Sequence, residues 1–238
     1  MSDFSGKVAL VTGASGNLGS AVAFAFQNAG AKMVLVGRSA ERLNSAFGNM
    51  AESPDHIIIG DVDLTNEDDA KEIAKSAYDN FGRIDILVNT VGVFRGGKPV
   101  HEEDLETWEF LFKVNLQTTL LMCRSVIPYM LRQNNGKIIN TASRNGLLGS
   151  ANYGAYSVAK SAVIRLTESL AKELIDHNIN VNCIIPGTID TPQNRQSMPD
   201  ANYSKWVSPD AIADVVLFLA SHAARSIVGA AIPVYGRS

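Results

Sequence analysis

The chain has 238 residues, of which 46% are hydrophobic and 19% charged, with 19 glycines and a formal net charge of −3. This length suits one α/β domain with a sizeable core, and the slightly acidic balance offers no electrostatic footprint for nucleic acid or an anionic membrane. No apolar run approaches the roughly 18 to 20 residues of a membrane span, and Met1 to Lys7 lacks the basic start and apolar core of a signal peptide, so a cytoplasmic protein is expected.

Short runs rich in Val and Ile predict strands at Lys7 to Val11, Lys32 to Val36, His56 to Ile59, Ile84 to Val88, Lys137 to Asn140, Asn180 to Ile185 and Ala231 to Val234. Segments of helical period lie between them: Leu18 to Asn28, Ala40 to Phe47, Glu67 to Asn80, Leu105 to Gln133, Tyr153 to His177 and Pro209 to Ser221. Strand and helix taking turns, with nearly continuous apolar strands, is the pattern of a parallel sheet covered by helices on both faces. In such a doubly wound sheet the ligand crevice lies at the carboxyl ends of the strands. The residues just past each strand therefore come first.

After the first strand comes T-G-A-S-G-N-L-G, Thr12 to Gly19, leading into an apolar helix. Glycines at a strand-to-helix turn let the main chain approach a pyrophosphate, whose charge is stabilised by amide N–H groups and the helix N-terminus. Gly37-Arg38-Ser39 follows the second strand, where an acidic residue would accept hydrogen bonds from a ribose 2′-hydroxyl. Arg38 suits a 2′-phosphate instead, which points to NADP in preference to NAD. Asp63-Leu64-Thr65-Asn66 precedes a helix that Thr65 or Asn66 can cap. The fourth strand ends in L-V-N-T-V-G, Leu87 to Gly92, small and polar residues that leave room beside the main chain.

Asn115 falls in the middle of a long, mostly apolar helix, where an amide is costly unless partnered. It is either a satisfied structural amide or part of a polar site. Ser143 follows the fifth strand in N-T-A-S, at the crevice end, where it is either a donor to a substrate oxygen or a structural loop serine. Y-G-A-Y-S-V-A-K, Tyr153 to Lys160, puts Tyr156 and Lys160 at i, i+4 on one helix face. An ammonium beside a phenol favours the phenolate and lowers a pKa that is about 10 when unperturbed. Tyr153 has Ser157 four residues on and cannot pair in this way. The sixth strand ends in I-I-P-G-T-I-D-T, Ile184 to Thr191. Cys123 and Cys183 lie in apolar segments without ligand spacing and read as reduced buried thiols; the four histidines show no metal-site spacing, and no metal is expected.

In order and separation these motifs resemble the short-chain dehydrogenase/reductase family, over essentially the whole chain from Gly6 to Gly236. The resemblance implies a single Rossmann-type domain, a seven-stranded parallel sheet with helices on both faces. The family's glycine turn falls on Gly13, Ser15, Gly16, Asn17, Leu18 and Gly19, its adenine-contacting pair on Asp63-Leu64, its N-N-A-G on Asn89 to Gly92, and its P-G-x-x-x-T on Pro186, Gly187, Ile189 and Thr191. With Arg38, Tyr156 and Lys160 these are the expected cofactor contacts. Its catalytic residues fall on Asn115, Ser143, Tyr156 and Lys160. The implied reaction is hydride transfer between NADP(H) and a carbonyl or secondary alcohol. Tyr156 would act as general acid or base, Ser143 would orient the oxygen, Lys160 would tune the tyrosine and hold the ribose, and Asn115 would support a proton-returning water.

The chain departs from the family pattern at Asn17, where a glycine is usual, at N-T-V-G, and at V-Y-G-R, Val234 to Arg237, in place of V-D-G-G. The stretch from Thr191 to Val207 is short for a substrate-covering lid and implies a more open pocket, lined by that stretch with Arg144, Asn145, Leu147, Leu148 and Tyr153. Arg144 suits an anionic substrate or simply faces water. Reductases of carrier-protein substrates in the family often have basic residues before the fifth strand and after the catalytic helix, beside the active-site entrance. Asn134 and His177 occupy those places, which favours a free small molecule. The helices Leu105 to Gln133 and Tyr153 to His177 resemble those that pair subunits, so a homodimer or homotetramer is expected. Two further readings are a cofactor-binding sensor without turnover, and epimerisation or dehydration on the same scaffold.

Overall fold

The computed structural model describes residues 3–50 and 52–237. Strands β1 (Val8–Thr12), β2 (Lys32–Val36), β3 (His56–Ile59), β4 (Ile86–Asn89), β5 (Gly136–Thr141), β6 (Ile179–Pro186) and β7 (Ala231–Val234) form one sheet in the order β3-β2-β1-β4-β5-β6-β7. Every neighbouring pair is parallel. The helices are α1 (Asn17–Asn28), α2 (Ala40–Phe47), α3 (Glu67–Phe81), α4 (Leu105–Phe112), α5 (Thr118–Gln133), α6 (Gly154–Leu174), α7 (Pro192–Ser197) and α8 (Pro209–Ala220). This is the Rossmann-type architecture expected from the alternation of strand and helix.

Alternation along each strand divides the core. Ala9, Val11, Met33, Leu35, Ile86 and Val88 point to one face, where Val22 and Phe26 of α1, Leu43 of α2 and Ile212 and Val216 of α8 cover them. Val8, Leu10, Val34, Val36 and Leu87 point to the other, against Ile73 and Ala77 of α3, Met122 and Val126 of α5 and the end of α6. Period-2 side chains feeding two helical layers explain why the strands read as unbroken apolar runs. Each such side chain, fully buried, contributes about 1.5–3 kcal/mol.

Strand order reverses between β1 and β4, so the connections leaving their carboxyl ends run to opposite sides and open the crevice there. Both strands extend one residue beyond the apolar runs, to Thr12 and Asn89. These two pair in register and approach each other at 3.4 Å through their side chains, so polar residues are accommodated at that edge. Asn66 caps α3, accepting from Asp68 N at 2.8 Å and Asp69 N at 3.4 Å.

Two features differ from the sequence expectation. The helix expected from Leu105 to Gln133 contains a π-turn at Lys113–Gln117, because the Asn115 amide donates back to Leu111 O at 3.1 Å and reaches out to Val93. Within the stretch from Thr191 to Val207, α7 forms with Thr191 as N-cap and Pro192 in its first turn. Ile189 and Val207 bridge in parallel across its base. Among the described residues no helix is long and apolar enough to cross a membrane.

Candidate active site

The glycine turn after β1 is built by close approach. Gly13 has φ +65°, and a Cβ on Gly19 would collide with the Gly13 carbonyl, so the first turn of α1 seats directly on the loop. Gly16 N donates to Gly13 O at 2.9 Å. Gly16 is the N-cap of α1 and brings no side chain to it, leaving first-turn amides aimed out of the helix end. Asn17 opens the helix with helical backbone, and its side-chain amide donates to Gln193 Oε1 of α7 at 2.8 Å.

Facing this turn, Tyr156 and Lys160 project from α6 and Ser143 from the end of β5. Ser143 Oγ accepts from Asn145 N at 3.3 Å, and its hydroxyl faces that of Tyr156. Lys160 is 3% exposed, and its Nζ donates to Thr141 O at 2.9 Å. Burial lowers its pKa to about 8. Burial raises the Tyr156 pKa above its ordinary value, and the Ser143 hydrogen bond opposes part of that rise. This corrects the expectation of a tyrosine made acidic by its lysine neighbour: the ammonium is turned to a main-chain carbonyl, and desolvation governs the phenol.

Asn115 is fully buried, with both amide hydrogens engaged, one on Val93 O at 3.0 Å and one on Leu111 O, while its Oδ1 accepts from Val93 N at 3.0 Å. Its side chain thus pins the loop after β4 and has no donor left for a water. Phe94, next on that loop, packs edge-to-face on Tyr153 and Tyr156 with centroids 5.0 Å away in each case.

These elements enclose a cavity of about 580 Å³. Of the sequence candidates, Gly13, Gly16, Asn17, Leu18 and Gly19 line it from the turn, Ser143, Tyr156 and Lys160 from β5 and α6, and Pro186, Gly187, Ile189 and Thr191 from β6 and beyond. Arg144, Asn145 and Tyr153 also reach it, whereas Leu147 and Leu148 are exposed outside. Ser15, Arg38, Asp63, Leu64, Asn89 and Asn115 are not part of its wall. Asn89 is buried and donates to Asn140 Oδ1 at 3.0 Å, bracing β4 against β5. Asp63 accepts from Thr65 N at 2.9 Å and Leu64 is in the core, both just past β3. Arg38 is exposed beyond β2, and its guanidinium has no hydrogen-bond or ion-pair partner among the described residues. Thr90 and Gly92, of the Asn89 to Gly92 motif, and Asn194 and Met198, of the Thr191 to Val207 stretch, line the cavity as expected, while Val93, Phe94, Thr141 and Thr188 line it without having been named as contacts. Position after a strand was the signal for Val93, Thr141 and Thr188, and Phe94 had none.

The wall fits a dinucleotide. The turn offers unpaired amides, and Thr141 Oγ1 is buried there with no hydrogen-bond partner. A Cβ on Gly92 would also fill the space beside Lys160 Nζ. Among the described residues no group of His, Cys, Asp or Glu is arranged to hold a metal ion.

A larger groove, about 840 Å³, lies at the amino ends of the strands between Lys7, Asp85 and Lys137. It has no glycine turn, and Asp85 is already paired with Lys7 and Arg83. Asn134 lines this groove, and His177 likewise precedes β6. Both positions therefore lie at the opposite end of the sheet from the crevice, not beside its entrance, because the residues before a parallel strand and those after it are separated by the strand's length.

A doubly wound parallel sheet with a glycine-cradled crevice and a Ser–Tyr–Lys group beside it defines an NAD(P)-dependent oxidoreductase. The chain belongs to the short-chain dehydrogenase family, whose model matches residues 7–202. It is 33% identical over 239 residues to the 3-oxoacyl-[acyl-carrier-protein] reductase FabG of Thermotoga maritima, covering 97% of each chain. An uncharacterised oxidoreductase of Staphylococcus haemolyticus is 34% identical over 218 residues, 92% of each. Among solved structures, a short-chain type dehydrogenase/reductase from Mycobacterium ulcerans superposes with a TM-score of 0.92 at 27% identity, covering 99% of this chain and 90% of that one.

Proposed function

We propose that the chain transfers hydride reversibly between NADP(H) and the carbonyl or secondary alcohol of a small molecule, with Tyr156 as general acid and base. The observation that carries this reading is the convergence of Ser143, Tyr156 and the buried Lys160 on one cavity wall with the glycine turn.

A bound dinucleotide supplies the hydride that reduces the carbonyl carbon. The amides of the glycine turn and the N-terminus of α1 would hold its pyrophosphate, and Arg38, unpaired beyond β2, suits a 2′-phosphate. In the reductive direction Tyr156 gives its phenolic proton to the carbonyl oxygen. A phenol kept protonated by burial is in the right state for that step. Ser143, its Oγ held by Asn145 N, would turn its hydroxyl hydrogen from Tyr156 to the same oxygen as negative charge develops there. Lys160, with one N–H on Thr141 O, would offer its remaining ammonium hydrogens to ribose hydroxyls. Asn115 is a positioning residue that fixes Val93 and Phe94 over the tyrosine. Copies of the chain pair into a homodimer or homotetramer through α4, α5 and α6, where Leu105 is 78% exposed and Val158 46%.

The test pairs a cofactor-binding titration with NADPH oxidation over a panel of ketones and aldehydes. Binding with carbonyl-dependent oxidation is the expected result. Binding without consumption on any carbonyl would identify a sensor, and product formation without net consumption would identify an isomerising enzyme.

A further inference from the structure

Arg144 follows Ser143 directly, in the short 3₁₀ turn Arg144–Gly146, and lines the cavity. Most arginines of this chain are already engaged. Arg83 is paired with Asp85, Arg124 with Glu67, Arg165 with Glu168 and Arg195 with Asp190, while Arg95 and Arg132 lie over aromatic rings on the outer surface. Arg144 has no carboxylate partner among the described residues. Its guanidinium lies 5.6 Å from the ring centroid of Tyr235, just past β7. That ring packs on the apolar cluster of Ala142, Val163, Ile164, Cys183 and Ile185, so it is an anchored platform. A guanidinium steadied on an aromatic face loses little further freedom on binding and keeps its fork of N–H donors available. Tyr235 is also one of the residues that sets the C-terminal V-Y-G-R apart from the family's usual pattern.

The electrostatics of the cavity point the same way. The chain as a whole is acidic, with 24 Asp and Glu against 21 Lys and Arg, yet among the described residues no acidic one lines this cavity. Its charged residues are Lys160, committed to Thr141 O on the glycine-turn side, and Arg144 on the far side of Ser143. A positive wall with no internal counter-ion favours an anion. Phe94, Tyr153 and Met198 add apolar surface to the same cavity. Arg144 and Ser143 are consecutive and both line the cavity, so a carbonyl oxygen held at Ser143 and Tyr156 and an anion held at Arg144 would suit one small molecule.

We propose that Arg144, propped by Tyr235, binds the carboxylate of the substrate, and that the substrate is a short oxo acid or the matching hydroxy acid. The proposal rests on the reductase reading above and deepens it. It also separates this chain from its 3-oxoacyl-carrier-protein reductase relative, since a carrier-bound thioester presents no free carboxylate at that place. Planar, two-point pairing is what a guanidinium offers a carboxylate.

The experiment compares matched pairs, 2-, 3- and 4-oxo acids against their methyl esters, in wild type and in Arg144→Gln, Arg144→Lys and Tyr235→Leu. The wild type is expected to prefer at least one acid to its ester by tenfold or more in kcat/KM. Arg144→Gln is expected to reduce that ratio by tenfold or more, mainly through KM, with Arg144→Lys keeping an intermediate preference and Tyr235→Leu losing a few-fold. A binding arm measures butanoate affinity for the enzyme with NADP, with tenfold weakening expected in Arg144→Gln. Equal or better turnover of every ester, or an acid-to-ester ratio and butanoate affinity unchanged in Arg144→Gln, overturns the proposal while leaving the reductase reading intact. If no carbonyl compound is reduced at all, the reductase reading fails and the butanoate arm alone decides whether Arg144 binds carboxylate.

Discussion

A methyl group on Gly92 would stand 2.9 Å from Lys160 Nζ and 3.0 Å from Asn115 Oδ1. The glycine after β4 is therefore the gap through which the buried ammonium reaches the cavity. It is also where the Asn115 clamp on Val93 meets Lys160. Gly92→Ala is expected to displace one or both groups, reducing kcat at least tenfold and stability by about 1–3 kcal/mol, the range for overpacking a closed site. Steady-state kinetics with thermal melting on one preparation checks both. Wild-type kcat in a folded Gly92→Ala protein would contradict this packing.

Lys160 is a site where function opposes stability. Its ammonium is buried, with one main-chain acceptor and no carboxylate partner, and its pKa is lowered from 10.5 to about 8. Between those values the unfolded chain holds a proton that the folded chain has lost, so this residue's contribution to stability increases as pH rises through the window. Below about pH 8 the charged form is held in the fold at a cost. Lys160→Met is thus expected to abolish turnover yet melt higher at pH 7 by several degrees, with the advantage shrinking as pH rises toward 10.5. Melting curves across that range measure it; a Met variant that melts lower at pH 7 would mean that the bond to Thr141 outweighs the desolvation.

Burial raises the Tyr156 pKa, so the phenol stays protonated through neutral pH. A proton donor works while protonated and a proton acceptor only when ionised. At saturating substrate the reductive kcat is therefore expected to fall at alkaline pH and the oxidative kcat to rise, with opposite slopes. Parallel slopes in the two directions would separate the pH dependence from Tyr156.

Arg38 has no partner among the described residues and follows β2 where adenosine-ribose selectivity is set. Arg38→Ala is expected to raise KM for NADPH tenfold or more and leave NADH within about threefold. Arg38→Asp is expected to invert the preference. Unchanged NADPH kinetics in both variants would remove this residue from cofactor choice.

Much of this site was legible because its parts are local. Thr12 to Gly19 announces its turn through glycines that the backbone needs, and Tyr156 and Lys160 share a face by helical spacing alone. What stayed hidden depends on packing between distant segments. The π-turn at Asn115 arises because its amide finds Val93, 22 residues away. Phe94 becomes part of the site only when the loop after β4 folds over α6. The tyrosine–lysine pair shows the limit of a spacing argument: i, i+4 sets their shared face, but Thr141 O decides where the ammonium points, and burial decides which way the phenol titrates. The positions of Asn134 and His177 were legible as strand ends, though not which end of the sheet they occupied.

The account turns on Tyr156 as the proton donor, and Tyr156→Phe tests it most directly, since it removes one oxygen and leaves the ring against Phe94. Turnover of NADPH with a carbonyl substrate is expected to fall by at least three orders of magnitude, about 4 kcal/mol in the barrier, while NADPH affinity stays within about twofold. Turnover within tenfold of wild type in that variant would contradict the assignment.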